Sequence, residues 1–574
     1  MQNQAMTILP QAKLKDSRKD SACSRDSATL RGSTVYSEKP TSFDASRESV
    51  TALPSIADTP PAEEKVYPSG LKFGLIVFSL CLALFLAGLD QTVITTAVPK
   101  ITDDFHALED IGWYTAAYLL TTAVFQLAYG KFFTFFSIKI VFLVALAIFE
   151  LGSLVCATAP TSTALIVGRS LAGLGAAGIF PGSVLILMHS CPLEKRPTFL
   201  GIINAMFGVA SIAGPFIGGV FTDRATWRWC FWINLPLGAI TLAVVAFCVK
   251  TPLDPAYANW TVIQKLKDFD LFGLVISISS LICLILALEW GGSIYPWSDG
   301  RVVALLVVFS VLFLVFLASQ VFFSSSRTVP AHIIRNRSVW FAALFAACSS
   351  GSMFIAITYL PIYFQAIKDA SALKSGSMVT PLILGFLVMC MVSGAITTIL
   401  GYYNPSMIAG PILSSIGAGL ITTFNVDSPS PVWIGYQVLL GFGIGFGLQQ
   451  PLLVVQTILP ESEVPIGVAL MNLFQMLGGA IFVAVSQNVF QNNLKADIHR
   501  LFPTFDTKTL FDVGATGLSS LFDEQQLKEV LPVYCKDITK TFYIVAALCA
   551  MSMIGALGTE WRTTKKKSPD VPKA

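Results

Sequence analysis

The chain has 574 residues, 54% hydrophobic and 13% charged, with a mean hydropathy of +0.68. Soluble domains carry about 25% charged residues, so this composition excludes an ordinary soluble protein and predicts an integral membrane protein. A net charge of +3 without a basic stripe interleaved with aromatics argues against nucleic acid as a partner. Most of the eleven cysteines lie inside apolar segments and no CxxC pair occurs; His106, His189, His332 and His499 are far apart. No metal, other cofactor or His-based catalysis is therefore expected, and the chain reads as not an enzyme.

Residues 1–70 are rich in Ser, Thr, Asp, Lys and Pro, hold no sustained apolar run, and read as a disordered cytosolic tail. No short apolar h-region follows the start, so no cleaved signal peptide is expected. Beyond the tail come apolar runs near the 20 residues that a helix needs to cross a hydrocarbon core. They fall at about 73–99, 113–131, 138–158, 162–188, 198–221, 229–249, 270–288, 302–323, 339–363, 378–400, 403–424, 432–456, 466–490 and 541–558. The reading is an all-α membrane protein with fourteen transmembrane helices. It divides into a six-helix half at 71–250, two additional helices at 251–325 and a second six-helix half at 326–560. The second half includes a long outer polar loop at 491–540, and 561–574 form a cytosolic tail.

Lys65, Lys72, Lys131, Lys139, Lys195, Arg196, Lys250, Lys265, Lys267, Arg327, Arg335, Arg337, Arg562 and Lys565 to Lys567 fall on one side of these spans. The other side carries Asp103, Asp104, Glu109 and Asp110, with fewer cations. By the positive-inside rule both termini are cytosolic. The home is the cell membrane, with a vacuolar or vesicular membrane as the alternative.

An internal duplication shows at an offset of 268 residues: Gly173 meets Gly441, Gly175 meets Gly443, Pro192 meets Pro460, Pro197 meets Pro465 and Asn204 meets Asn472. Internal repeats mark transporter folds. In this register Arg169 faces Gln437, so the halves differ in charge.

Asp90 lies inside the first apolar run and Arg169 inside the fourth. An intramembrane acid normally faces a bundle interior or a water cavity and has a function there. Burial opposes its charged form, which would let it take up and release a proton; the alternative is a static polar contact. The guanidinium of Arg169 stays charged and must be paired or hydrated, for example as a clamp on backbone carbonyls. Glu150, in the third run, is given no role. Gln91, Asn204, Tyr359, Tyr363, Gln365, Gln449, Gln450, Asn472 and Gln475 are candidates to line a substrate cavity, or else to form interhelical hydrogen bonds. An apolar cavity with scattered polar groups suits bulky organic molecules. No GxxxxGK[ST] loop occurs, so ATP-driven transport by this chain is unsupported and the proton gradient is the expected energy source.

LDQTVITTAVPKI at 89–101, LIVGRSLAGLGAAG at 165–178, GVASIAGPFIGG at 208–219, WRWCFWINLPLG at 227–238, YLPIYFQAIKDASALKSG at 359–376 and NLFQMLGGAIFVAVSQNVF at 472–490 together carry a resemblance. The chain resembles the fourteen-spanner drug:proton antiporters of the major facilitator superfamily, most of all fungal members such as the aflatoxin and HC-toxin efflux pumps. The resemblance implies proton coupling for Asp90 and Arg169. It implies a hinge and seal at Gly208, Gly214, Pro215, Gly218 and Gly219. One departure stands out: GKFFTFFSIK keeps Gly130, Lys131 and Lys139 but lacks the acid usual in the loop after the second helix. The implied function is export of a fungal secondary metabolite, toxin or drug by alternating access. Siderophore or vacuolar basic amino-acid transport, or a transporter-like sensor, are the alternatives. The implied partners are a small organic substrate, protons and the lipid bilayer, with the chain a monomer.

Overall fold

A computed structural model describes residues 67–107, 110–251, 259–292, 295–322, 328–503 and 521–565. Most of the expected N-terminal tail, 1–66, and most of the 561–574 tail lie outside the described residues. Among the described residues there is helix throughout and no strand.

The first half contains α1 (Gly70–Phe105), α2 (Ile111–Val124), α3 (Gln126–Phe135), α4 (Ile138–Ala157), α5 (Ser162–Ser190), α6 (Arg196–Arg224), α7 (Trp229–Trp232) and α8 (Asn234–Cys248). A short α9 (Val262–Lys267) leads into α10 (Leu271–Trp290) and α11 (Gly300–Phe322). The second half contains α12 (Ala331–Arg335), α13 (Arg337–Lys368), α14 (Ala372–Met378), α15 (Thr380–Leu400), α16 (Asn404–Ile421), α17 (Ser430–Gly447), α18 (Gln450–Ile458), α19 (Val464–Leu501) and α20 (Glu524–Gly558).

Twelve helical segments among the described residues are long and apolar enough to cross a membrane. The stretches expected at 113–131 and 403–424 are helical but outside that set. The first is divided at Phe125 into the 14-residue α2 and the 10-residue α3, and the second is the 18-residue α16. The polar insert at 491–540 proves helical at both ends. There α19 runs on to Leu501, and α20 begins at Glu524 behind a reciprocal capping box between Asp523 and Gln526. Residues 504–520 lie outside the described residues.

Helix boundaries follow local chemistry. Proline stands in the first turn of α6 and of α15 to α19, where its missing N–H is harmless. Thr161, Asn336 and Ser371 cap α5, α13 and α14 through their side chains. Asp270 caps α10 by accepting from Gly273 N at 2.9 Å. It also accepts from Gln320 Nε2 at 2.9 Å and from Thr328 N at 2.9 Å, which ties α11 and its following loop to the start of α10.

Each half is a bundle, and the sequence repeat appears as repeated packing. A Cβ on Gly173 would lie 2.3 Å from the Tyr118 carbonyl of α2, and one on Gly441 would lie 2.2 Å from the Leu382 carbonyl of α15. Likewise a Cβ on Gly175 would meet Phe149 N of α4 at 2.4 Å, and one on Gly443 would meet Ser414 N of α16 at 2.1 Å. Paired glycines thus let α5 and α17 touch the backbones of their neighbours in the same way.

The halves join mainly at the end that carries the basic loops. There Gly130 of α3 seats against Ala469 and the Pro465 carbonyl of α19, and Pro197 of α6 packs against Gly394 of α15. Thr198 and Thr398 share a hydrogen bond of 2.8 Å. One apolar core, with Leu80, Leu185, Phe345, Leu453, Val464 and Met471, spans both halves at this end. Toward the opposite end the cores separate. Val93, Tyr114, Leu165 and Phe231 cluster in the first half, and Tyr359, Phe364, Trp433 and Phe542 in the second, reached from the first by Ile212. Helices α10 and α11 pack together, with α10 reaching α2 and α19. Most of the α11 surface is exposed and apolar, as a lipid-facing helix requires.

Candidate functional site

Midway along α1, the Asp90 side chain points into the first bundle and meets Arg169, one side chain from each of two helices that the sequence leaves 79 residues apart. Arg169 Nη1 donates to Asp90 Oδ2 at 2.5 Å, and both side chains are fully buried. The guanidinium has further duties. Its Nε donates to the Tyr114 carbonyl of α2 at 2.7 Å, Nη1 also donates to the Asp90 carbonyl at 3.2 Å, and the plane lies over the Tyr118 ring at 4.5 Å. The Tyr118 hydroxyl donates back to the Ala87 carbonyl of α1 at 3.1 Å.

On the other side of Asp90, Asn234 Nδ2 at the start of α8 donates to Oδ1 at 3.1 Å and to Ser153 Oγ of α4 at 3.0 Å. Five elements, α1, α2, α4, α5 and α8, therefore hold one carboxylate. A buried charge pair is tolerated only when well oriented and hydrogen-bonded on its remaining positions, which this shell largely provides. Of the meanings open for Arg169 in the sequence, the carbonyl clamp is present, and the guanidinium also pairs with the acid. Its counterpart Gln437 keeps only the clamp, donating to the Met378 carbonyl at 3.2 Å.

Sequence reasoning found Asp90 and Arg169 because a charge stands out in an apolar run. It missed Tyr114, Tyr118, Ser153 and Asn234, which are uncharged. Asn234 did carry a signal, since it sits within WRWCFWINLPLG. Glu150, set aside from sequence, is buried one turn before Ser153 on α4, and neither of its carboxyl oxygens has a hydrogen-bond partner.

The glycine-rich stretch of α6 divides by direction. A Cβ on Gly214 would fall 2.1 Å from Thr92 Oγ1, and one on Gly218 would fall 2.7 Å from the Val93 carbonyl, so these two set the contact with α1. Pro215 lies inside the helix between them. Gly208 faces Phe386 of α15 at an ordinary 3.5 Å, across the seam between halves, and Gly219 faces open space.

The cavity candidates scatter. Tyr359 and Tyr363 are buried in the core of the second half, the latter donating to the Asn425 carbonyl at 2.8 Å. Gln365 bonds Ser375, Gln449 the Cys390 carbonyl, Gln450 Ser393 and Gln475 the Leu448 carbonyl, all as interhelical or loop ties. Asn204 donates to the Leu200 carbonyl of its own helix. Asn472 is buried with neither amide atom partnered, and Gln91 is half-buried on α1 beside Asp90.

The described residues thus form a helical membrane protein with a fully buried ion pair inside it. Comparison with known proteins agrees. Residues 80–483 match the Major Facilitator Superfamily, and the chain belongs to that family. The MFS thioclapurine efflux transporter tcpA of Claviceps purpurea is 58% identical over 516 residues, covering 90% of this chain and 94% of that protein. The efflux pump aflT of Aspergillus parasiticus is 45% identical over 506 residues, covering 88% and 98%. Among solved structures, the proton:xylose symporter XylE aligns with a TM-score of 0.53 at 14% identity, covering 85% of this chain and 94% of its own. The human organic anion transporter MFSD10 aligns with a TM-score of 0.55 at 14% identity, covering 84% and 100%. At that identity the structural likeness shows the fold alone.

Proposed function

We propose that this chain is a proton-coupled exporter of a small organic compound, a fungal secondary metabolite or toxin, working by alternating access as a fourteen-helix monomer. The observation that carries the reading is the Asp90–Arg169 pair, fully buried in the first half and absent from the duplicated position, where Gln437 stands. A carboxylate whose charge is balanced by one guanidinium changes its hold on α5 when it takes a proton, and that couples protonation to helix packing. The relatives named as efflux pumps support the direction of transport and the kind of cargo.

Chain direction supports fourteen crossings. Helix α1 starts at the basic end and α4 starts there too, which fits a return of the α2–α3 pair across the bilayer between them; α16 fits the same return between α15 and α17. With the basic loops placed in the cytosol, the joined end is the cytosolic one, an arrangement that fits an outward-facing state. The cell membrane is the proposed home. Gly208, Gly214, Pro215, Gly218 and Gly219 would form the flexing seam, and Asn472 with Gln91 would contribute polar groups to the substrate path.

The test is transport of a panel of fluorescent amphipathic compounds and fungal metabolites in proteoliposomes, with and without a pH gradient. Gradient-driven movement by the wild type, lost in Asp90→Asn, is the expected result. Transport indifferent to the gradient in the wild type would overturn proton coupling.

A further inference from the structure

Glu150 poses a separate problem, because an ionised carboxylate in hydrocarbon needs donors or a cation and this one has neither among the described residues. Its side chain is 8% exposed, and both oxygens lack hydrogen-bond partners. The charged groups on the elements packed against α4 are accounted for. Arg169 of α5 is spent on Asp90. Lys139, at the start of α4, donates to the Ala246 carbonyl, and His189 bonds the Leu185 carbonyl at the far end of α5. Lys131 lies on α3 over the Phe135 ring. Lys139 is eleven residues from Glu150, roughly 16 Å along the helix. Helices α7 and α8 carry no charged residue.

The surroundings look shaped for this side chain. A Cβ on the buried Gly238 of α8 would lie 1.7 Å from Glu150 Oε1, so the missing side chain at 238 is the space the carboxyl occupies. Gly238 lies one turn after Asn234 on α8, and Glu150 one turn before Ser153 on α4. The acid and its notch therefore continue the Ser153–Asn234–Asp90 line of contacts by one helical turn.

We propose that Glu150 is a second proton-carrying group of the same pathway, held neutral in the Gly238 notch while Asp90 is ionised against Arg169. The inference rests on the proton-coupled reading above. One guanidinium cannot balance two carboxylates in this pocket, so the two acids titrate as a linked pair. A proton leaving a Glu150 carboxyl for Asp90 Oδ changes neither the number of ionised acids nor the charge of the pocket. It does release Asp90 from Arg169 and leaves Glu150 charged.

The test is infrared difference spectroscopy of the purified full chain in lipid across a pH titration, combined with proton counting in proteoliposomes. A neutral carboxylic acid carbonyl band is expected in the wild type and absent in Glu150→Gln; in Asp90→Asn its pH dependence should change, because Arg169 is left with only Glu150 to balance. Gly238→Ala, which keeps Glu150 but fills its notch, should shift that band. Glu150→Gln should also lower the number of protons moved per transported molecule and alter the pH profile of transport. A wild-type spectrum identical to that of Glu150→Gln, or a Glu150→Gln protein with the wild-type proton ratio and pH profile, overturns the proposal. Transport indifferent to the gradient in the wild type would instead defeat the coupling reading, and the spectra would still decide the state of Glu150.

Discussion

Arg169 holds three positions at once, and its removal does more than cut one ion pair. Breaking a buried pair by deleting one partner costs about 3–5 kcal/mol, because the other charge is left without compensation. Arg169→Ala should therefore lower the thermal unfolding midpoint strongly. The second half shows what a neutral version looks like: Gln437 reaches a backbone carbonyl from the equivalent site without a charge. The double variant Asp90→Asn with Arg169→Gln should then recover most of the stability lost in Arg169→Ala while remaining uncoupled. Thermal unfolding in lipid-like detergent checks this, and a double variant as unstable as Arg169→Ala would refute it. Asn234→Leu should cost about 1.5–3 kcal/mol, the range for a hydrogen bond to a charged group. It should also change the pH profile of transport, since it removes a donor from Asp90 Oδ1.

At the scale of helices, contact is governed by where glycine leaves backbones exposed. A methyl at Gly175 would sit 2.4 Å from the Phe149 nitrogen and 2.6 Å from the Ala145 carbonyl, and backbone cannot yield as a side-chain tip can. At Gly219, only five residues beyond Gly214, nothing lies within 4 Å. Gly175→Ala should thus lose stability by about 1–3 kcal/mol, the usual range for overpacking, whereas Gly219→Ala should be close to neutral. Unfolding midpoints of the two variants measured side by side would expose an error if they matched. Both glycines look alike in sequence, and only the position of the neighbouring helix separates them. The same holds for the expected cavity residues: Tyr363 and Gln449 are polar groups in apolar runs, yet both are committed to backbone carbonyls of other segments.

For the whole molecule, the division of the apolar core matters most. Two clusters cross between halves, one at the basic end and one where α19 meets α2 and α3, while separate clusters serve each half beyond them. Thr198 of α6 and Thr398 of α15 sit in hydrogen-bond contact across that closed end. Cysteines at both positions, in a background without the native cysteines, should cross-link in the resting protein. The cross-link should abolish transport, and reduction should restore it. Full transport by the cross-linked protein would mean that this end need not open.

What the sequence determined by itself follows from the solvent it must face. Lipid demands long apolar helices, and a charge inside one is costly enough to be visible by inspection, so the membrane class and the two buried charges, Asp90 and Arg169, were legible. The repeat was legible too, because glycines and prolines at helix contacts leave few substitutes. Tertiary structure decided the rest. Uncharged partners such as Asn234 and Ser153 acquire meaning only from which helix faces them, and Glu150 only from the space that Gly238 leaves open. The seam at the basic end depends on long-range contacts, Gly130 against Ala469 and Thr198 against Thr398, that no local pattern of residues records.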